Sequence, residues 1–281
     1  MNRTPRPVPH APRMRSSRIG VIGAGTMGQA ILKGLLARGM PRRALIAADT
    51  DAATRRRVAR RFGIAVSAEP RDVARRARIV LLAVKPQQLP GAVARIAPQM
   101  RPRQLVISIA AGITVRWLER RLPGAAVIRA MPNLPATVGA GFTAITAGQR
   151  ARAADRRAAR RLFEAVGAVA ELPERHFDAI TAVSGSGPAY LFYLVHAWGT
   201  AAQALGLPDQ VAQEAIRTTL EGSLKLLEAS GEPAEALVKK VASKGGTTEA
   251  ALTVLQRGRV SERFVAALTA AARRSKELSC R

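Results

Sequence analysis

One cysteine, three histidines and no long apolar run narrow the possibilities at the outset. Cys280 stands one residue from the end of the 281-residue chain, so no intrachain disulfide can form and a cysteine-rich metal site is excluded. No hydrophobic stretch approaches the roughly 20 residues that a spanning helix requires. The N-terminus also lacks the apolar segment of a secretory signal, so a cytoplasmic location without membrane attachment is expected. Acidic residues are scarce, 19 against 45 basic, and the formal charge is +26. The arginines recur in short clusters such as Arg55-Arg56-Arg57, Arg120-Arg121 and Arg273-Arg274, mostly on expected helix faces. With neither zinc-finger spacing nor an aromatic stacking motif, they read as solvated surface and not as a specific nucleic-acid site. Such a surface should still bind nucleic acid non-specifically at low salt.

What is present is enough for two domains, with 48% hydrophobic residues. Residues 1–17, rich in proline and arginine, are expected to be a disordered tail. Met14 is a candidate for the true start, which the intact mass of the native protein would decide. From Arg18 to Leu172, strands and helices alternate. The apolar run Ile19 to Ile22 leads into Gly23-Ala24-Gly25-Thr26-Met27-Gly28 and then a helix. In a strand–turn–helix of this kind the first glycine allows the tight turn, the second admits a pyrophosphate to the backbone, and the third lets helix and strand press together. Asp49, at the end of the second strand, lies at the offset where a carboxylate can hold ribose hydroxyls. A central strand over Arg78 to Ala83 exits through Val84-Lys85-Pro86, placing Lys85 at the carboxyl edge of the sheet. Met131 to Pro135 is expected to halt regular structure there, in a stiff loop presenting Asn133.

Beyond Pro173 strand signals vanish, and residues 173–281 read as helices over Pro188 to Leu205, Pro208 to Ala229, Pro233 to Ala242, Thr247 to Arg257 and Val260 to Leu278. A helical domain this small and apolar is expected to complete its core by dimerising. Ser243-Lys244-Gly245-Gly246-Thr247-Thr248 precedes one helix, and its bare N–H groups and hydroxyls suit a carboxylate.

Taken together, Gly23 to Gly28, Ala83-Val84-Lys85-Pro86, Met131-Pro132-Asn133 with Gly139 and Gly141, Gly185 to Tyr190, and Gly245 to Thr248 resemble the pyrroline-5-carboxylate reductase family, in the family's order, from Arg18 to Leu278. The resemblance implies a Rossmann-type, mostly parallel α/β domain (18–172) holding NADPH or NADH, followed by an all-helical dimerisation and substrate domain (173–281). It implies a homodimer or dimer-based assembly acting on a small molecule, 1-pyrroline-5-carboxylate, to give L-proline, with no metal. The roles it carries over are substrate binding by Ser243, Gly245, Gly246, Thr247 and Thr248, with the Thr248 hydroxyl at the ring nitrogen as the catalytic contact. For the cofactor it carries over Gly23, Gly25, Thr26, Met27, Gly28, Ala83, Lys85, Pro86 and Asn133. Asp49 leans the choice toward NADH, partly offset by Arg55, Arg56 and Arg57.

Hydride transfer to an already protonated imine leaves a neutral amine, so a strong dedicated acid is less necessary than in ketone reduction. The three histidines, His10, His176 and His196, all fall outside the glycine motifs. Catalysis would then rest on juxtaposition and on fixing the carboxylate. The chain departs from the family pattern at Lys244, His196, Thr200 and the Thr218-Thr219 pair. Alternative readings are a drifted paralogue reducing another cyclic imine and a non-catalytic basic binding module. A β-hydroxyacid dehydrogenase would want a lysine where Tyr190 to Tyr193 stand.

Overall fold

The structure, a computed structural model, describes residues 18–279; the tail over 1–17, with Met14 and His10, and Cys280 lie outside the described residues. The described chain divides into two compact units, one running to Gly185 and resuming at Ala272, the other spanning Ser186–Ala271.

The first unit begins β1 (Ile19–Ile22), α1 (Thr26–Ala37), β2 (Leu45–Ala48), α2 (Ala52–Phe62), β3 (Ala65–Ser67) and α3 (Pro70–Arg76). It continues through β4 (Ile79–Leu82), α4 (Leu89–Ile96), β5 (Leu105–Ser108), α5 (Val115–Arg121), β6 (Ala126–Pro132), β7 (Gly141–Ala147), α6 (Ala153–Glu164), β8 (Gly167–Glu171) and α7 (Phe177–Ile180). The eight strands form one sheet in the order β3-β2-β1-β4-β5-β6-β7-β8. All pairings are parallel except β6 with β7.

Strands β1, β2, β4 and β5 are buried at every position, which is why their sequences are apolar runs, ended in β5 by Ser108, and not alternating ones. Helices cover both faces. Val21, Leu81 and Ile107 pack with Ile31 and Leu35 of α1 and Phe163 of α6, while Val80, Leu82 and Val106 pack with Val73 of α3, Val93 and Ile96 of α4 and Leu118 of α5. Each fully buried Leu or Ile adds about 1.5–3 kcal/mol. The result is the mostly parallel Rossmann-type sheet expected.

Two local readings need correction. Helix α4 forms where no helix was read, and β6 runs through Met131 and Pro132, where regular structure was expected to stop. Pro132 is tolerated because β5 pairs with β6 only as far as Arg129. The Asn133 N–H turns toward β7 and meets the Phe142 carbonyl at 3.2 Å, so the neighbouring Pro132 nitrogen faces the side where β5 has already ended.

The second unit holds α8 (Gly187–Ala204), α9 (Asp209–Ser230), α10 (Ala234–Val241), α11 (Thr247–Arg257) and most of α12 (Val260–Ser279). Pro188 sits in the first turn of α8, where its missing N–H costs nothing. Few side chains of this unit are buried, and Phe192, Tyr193, Trp198, Leu224, Val254 and Val265 are exposed.

Candidate functional site

The chain leaves β1 for β2 on one side and returns through β4 on the other, so the carboxyl ends of β1 and β4 mark the point where strand order reverses. The glycine turn occupies that point, and each glycine has a separate physical requirement. Gly23 has φ +93°, and a Cβ there would lie 2.7 Å from the backbone of Ala83 and Val84. Around Gly25 nothing would meet a Cβ within 4 Å, so its backbone is open to a ligand. A Cβ on Gly28 would collide with the Gly23 carbonyl and lie 3.2 Å from Val21, so this glycine sets the approach of α1 to the strand. A cradle with one open face at the start of α1 fits a dinucleotide pyrophosphate.

Beside the turn lies a cleft of about 420 Å³ lined by Gly23, Gly25, Asp49, Ala83 and Lys85. Five of the residues assigned to the cofactor are thereby brought together. Thr26 instead faces a neighbouring depression shared with Gly25, Lys33, Arg57 and Arg61. Met27 packs against the core and Gly28 is buried beneath the turn. Pro86 starts the short 3-10 turn Pro86–Gln88 and does not line the cleft. Asn133 lies away from it, as a clasp: its Oδ1 accepts the Phe142 N–H at 2.8 Å, and its Nδ2 donates to Ser184 Oγ at 3.1 Å. The cleft also takes Thr50, Pro70, Gln88 and Arg95, none assigned from sequence. Gln88 and Arg95 come with α4, whose signal was the spacing of Leu89, Val93 and Ile96.

Asp49 is fixed by its neighbours. Its Oδ2 accepts the Ala24 N–H at 2.8 Å and its Oδ1 the Asp51 N–H at 2.9 Å. Asp51 caps α2, accepting from Thr54 N–H at 2.7 Å and Ala53 N–H at 3.3 Å. The Thr54 side-chain hydrogen bond, then its backbone N–H, hold the Asp51 carboxyl below its ordinary range.

In the second unit Ser243 to Gly246 form a turn closed by the Gly246 N–H on the Ser243 carbonyl at 3.0 Å, with Gly245 at φ +72°. Ser243 Oγ packs where a Gly246 Cβ would stand. Ser243, Gly245 and Thr247 are exposed, Gly246 and Thr248 half-buried. The loop's donors are not all bare: Glu249, in the first turn of α11, accepts the Gly245 N–H at 2.5 Å. Among the described residues no group of three His, Cys, Asp or Glu side chains is placed to hold a metal ion.

A protein from Synechocystis named pyrroline-5-carboxylate reductase is 39% identical over 264 residues, covering 94% of this chain and 98% of that one. The chain belongs to the pyrroline-5-carboxylate reductase family. The family model for pyrroline-5-carboxylate reductase dimerisation matches residues 174–278, and a model described as NADP oxidoreductase coenzyme F420-dependent matches residues 18–112. Among solved structures, the pyrroline-5-carboxylate reductase of Coxiella burnetii superposes with a TM-score of 0.87 at 34% identity, covering 94% of this chain and 99% of that one. The Plasmodium falciparum pyrroline carboxylate reductase with NADP bound gives a TM-score of 0.87 at 25% identity, over 95% and 99% of the two chains. The exposed apolar side chains of α8, α9, α11 and α12 fall within the stretch matched by the dimerisation model, which accounts for their lack of cover in a single chain. Of the positions that depart from the family pattern, His196 and Lys244 are exposed, and the His196 carbonyl accepts the Thr200 hydroxyl at 3.1 Å.

Proposed function

We propose that this chain reduces the C=N bond of 1-pyrroline-5-carboxylate to give L-proline, using NADPH or NADH, and that it does so as a homodimer or dimer-based assembly. The observation that carries this reading is the open cradle at Gly25 beside a cleft lined by Asp49 and Lys85, in a chain similar over 94% of its length to a reductase of that name. When bound, the dinucleotide supplies the hydride. Gly23, Gly25 and the start of α1 at Thr26 seat its pyrophosphate, with Met27 and Gly28 setting α1 against the strand; Asp49 holds its ribose and Ala83 and Lys85 make the remaining contacts, while Pro86 and Asn133 shape the loops around the cleft. The working division is a dinucleotide domain over 18–172 and a substrate and dimerisation domain over 173–281.

On the substrate side, Ser243 and the backbone of Gly245, Gly246 and Thr247 bind the carboxylate, and the Thr248 hydroxyl hydrogen-bonds the ring nitrogen. Fixing the carboxylate orients the imine carbon, which is where rate is gained when no alkoxide needs neutralising. Glu249 is a competitor for the Gly245 N–H and has to yield or rearrange when an anion enters.

Oxidation of the reduced nicotinamide on adding 1-pyrroline-5-carboxylate tests the reading directly. No oxidation with either cofactor, in a folded protein, would sink it. Thr248→Ala is expected to lower kcat/KM by about tenfold or more, as loss of a hydrogen bond to a charged group would. Its cofactor affinity should stay within about twofold, since the mutation touches no dinucleotide contact. Undiminished turnover would remove Thr248 from the site.

A further inference from the structure

We propose that this chain takes its dinucleotide without a 2′-phosphate, NADH in preference to NADPH, and that Asp49 and Asp51 enforce the choice. The proposal rests on the cleft beside Gly23 and Gly25 being the dinucleotide site. It runs against the NADP named for the matched oxidoreductase model and for the Plasmodium falciparum relative.

The preference follows from the donors and acceptors at the end of β2. A 2′-phosphate needs N–H groups or a cation on that loop, and the backbone donors there are engaged by the chain's own carboxylates. The Asp51 N–H goes to Asp49, and the Ala53 and Thr54 N–H groups, which at an uncapped helix would draw a phosphate, go to Asp51. Arg55 turns back, its Nη1 donating to the Asp49 carbonyl at 2.9 Å and the Thr50 carbonyl at 2.8 Å. Arg57 donates to Thr54 Oγ1 at 3.0 Å. None of the three arginines at 55, 56 and 57 lines the cleft, so the offset that their sequence position promised is not delivered there.

What the loop offers instead is acceptors. An ionised carboxylate has about four lone-pair sites, and Asp49 spends two of them on Ala24 and Asp51. The remaining sites suit the two hydroxyls of an unphosphorylated ribose, whereas a 2′-phosphate would set a dianion against the Asp49 carboxylate, with the charge of Asp51 two residues further on. Lys85 and Arg95, the latter on α4, are the cations that line the cleft; Lys85 is already assigned to the dinucleotide's other contacts, so Arg95 is the one that enters the test.

Calorimetric titration of the whole protein with 5′-ADP and 2′,5′-ADP, alongside NADH and NADPH, reads the preference without turnover. NADH is expected to bind about tenfold or more tightly than NADPH, with 5′-ADP ahead of 2′,5′-ADP in the same sense. In Asp49→Asn, which keeps an acceptor for Ala24, and in Asp51→Ser, which keeps a cap for α2, the gap should narrow by about threefold or more, and in the double variant it should close. Arg95→Leu should weaken both nucleotides alike. Equal or tighter binding of the phosphorylated nucleotides by the unaltered protein overturns the proposal while leaving the site in place, as does a loss in Arg95→Leu confined to them. Binding of no nucleotide at all overturns the site and the proposal together. Matched thermal unfolding of the variants separates a lost preference from a lost fold.

Discussion

At the scale of single residues, the glycine turn separates two requirements that its sequence presents as one motif. Gly23→Ala has to place a Cβ 2.7 Å from the backbone of Ala83 and Val84 at φ +93°, and is expected to destabilise the protein by about 1–3 kcal/mol in urea unfolding. Gly25→Val meets open space, so stability should change by less than about 1 kcal/mol while nucleotide affinity collapses. If both variants lost stability equally, Gly25 would be a packing glycine and not a ligand-facing one. The carboxylates Asp51 and Asp72 give a second prediction at this scale. Asp51 is held below its ordinary 3.8 chiefly by its hydrogen bonds with Thr54, and Asp72 by the Ser67 hydroxyl and Arg75. A depressed folded-state pKa adds stability that is present above the unfolded value and lost as pH falls through the folded one. Urea unfolding from pH 7 downward should therefore show the unaltered protein and Asp51→Ala converging below about pH 3.8, and a constant difference would exclude Asp51 from the acid limb.

At the scale of elements, a buried arginine links β6, α5 and α7. Arg129 has a side chain 4% exposed, pairs through Nη1 with Glu174 Oε1 at 3.0 Å, and lies over the Phe177 ring at 4.6 Å. The same Glu174 oxygen accepts the Val115 N–H at 2.8 Å, the first residue of α5. Arg129 Nη2 is buried without a partner, so the pair is already under-satisfied. Glu174→Ala strands the cation and is expected to cost about 3 kcal/mol, whereas Arg129→Met, which removes the charge as well, should cost less. Urea unfolding of the two variants checks the order. This clasp was not legible in the sequence, because it joins residues whose separation only the strand order sets. The four central strands were legible, since a strand buried on both faces has to be apolar throughout. Helix α4 was hidden by Pro90 and Gly91 in its first turn, although Leu89, Val93 and Ile96 keep helical spacing. With α4 unread, the far wall of the cleft, Gln88 and Arg95, could not be named either. The near wall could, because Gly23, Gly25 and Asp49 are placed by local turn chemistry that a short stretch of sequence specifies completely.

At the scale of the whole molecule, the helical unit leaves Phe192 59%, Tyr193 73% and Val265 66% exposed, more apolar surface than a lone copy tolerates. These side chains lie within residues 174–278, matched by the dimerisation model, so a second copy is the cover expected for them. The melting temperature should therefore rise with protein concentration, and sedimentation at low concentration should show dissociation coupled to lost stability; a concentration-independent melt would mean that the helices are stable alone. Helix α12 begins in the second unit and ends in the first. There Ser275 donates to Asp178 at 2.7 Å, and Leu278 lies against Gly112, whose added Cβ would stand 3.1 Å from the Leu278 carbonyl. The helical unit is therefore an insertion that the chain enters after Gly185 and leaves at Ala272, not an appendix on one end. A gene fragment cut after Gly185 would lose the last turns of α12, which Ser275 and Leu278 set against Asp178 and Gly112 of the first unit.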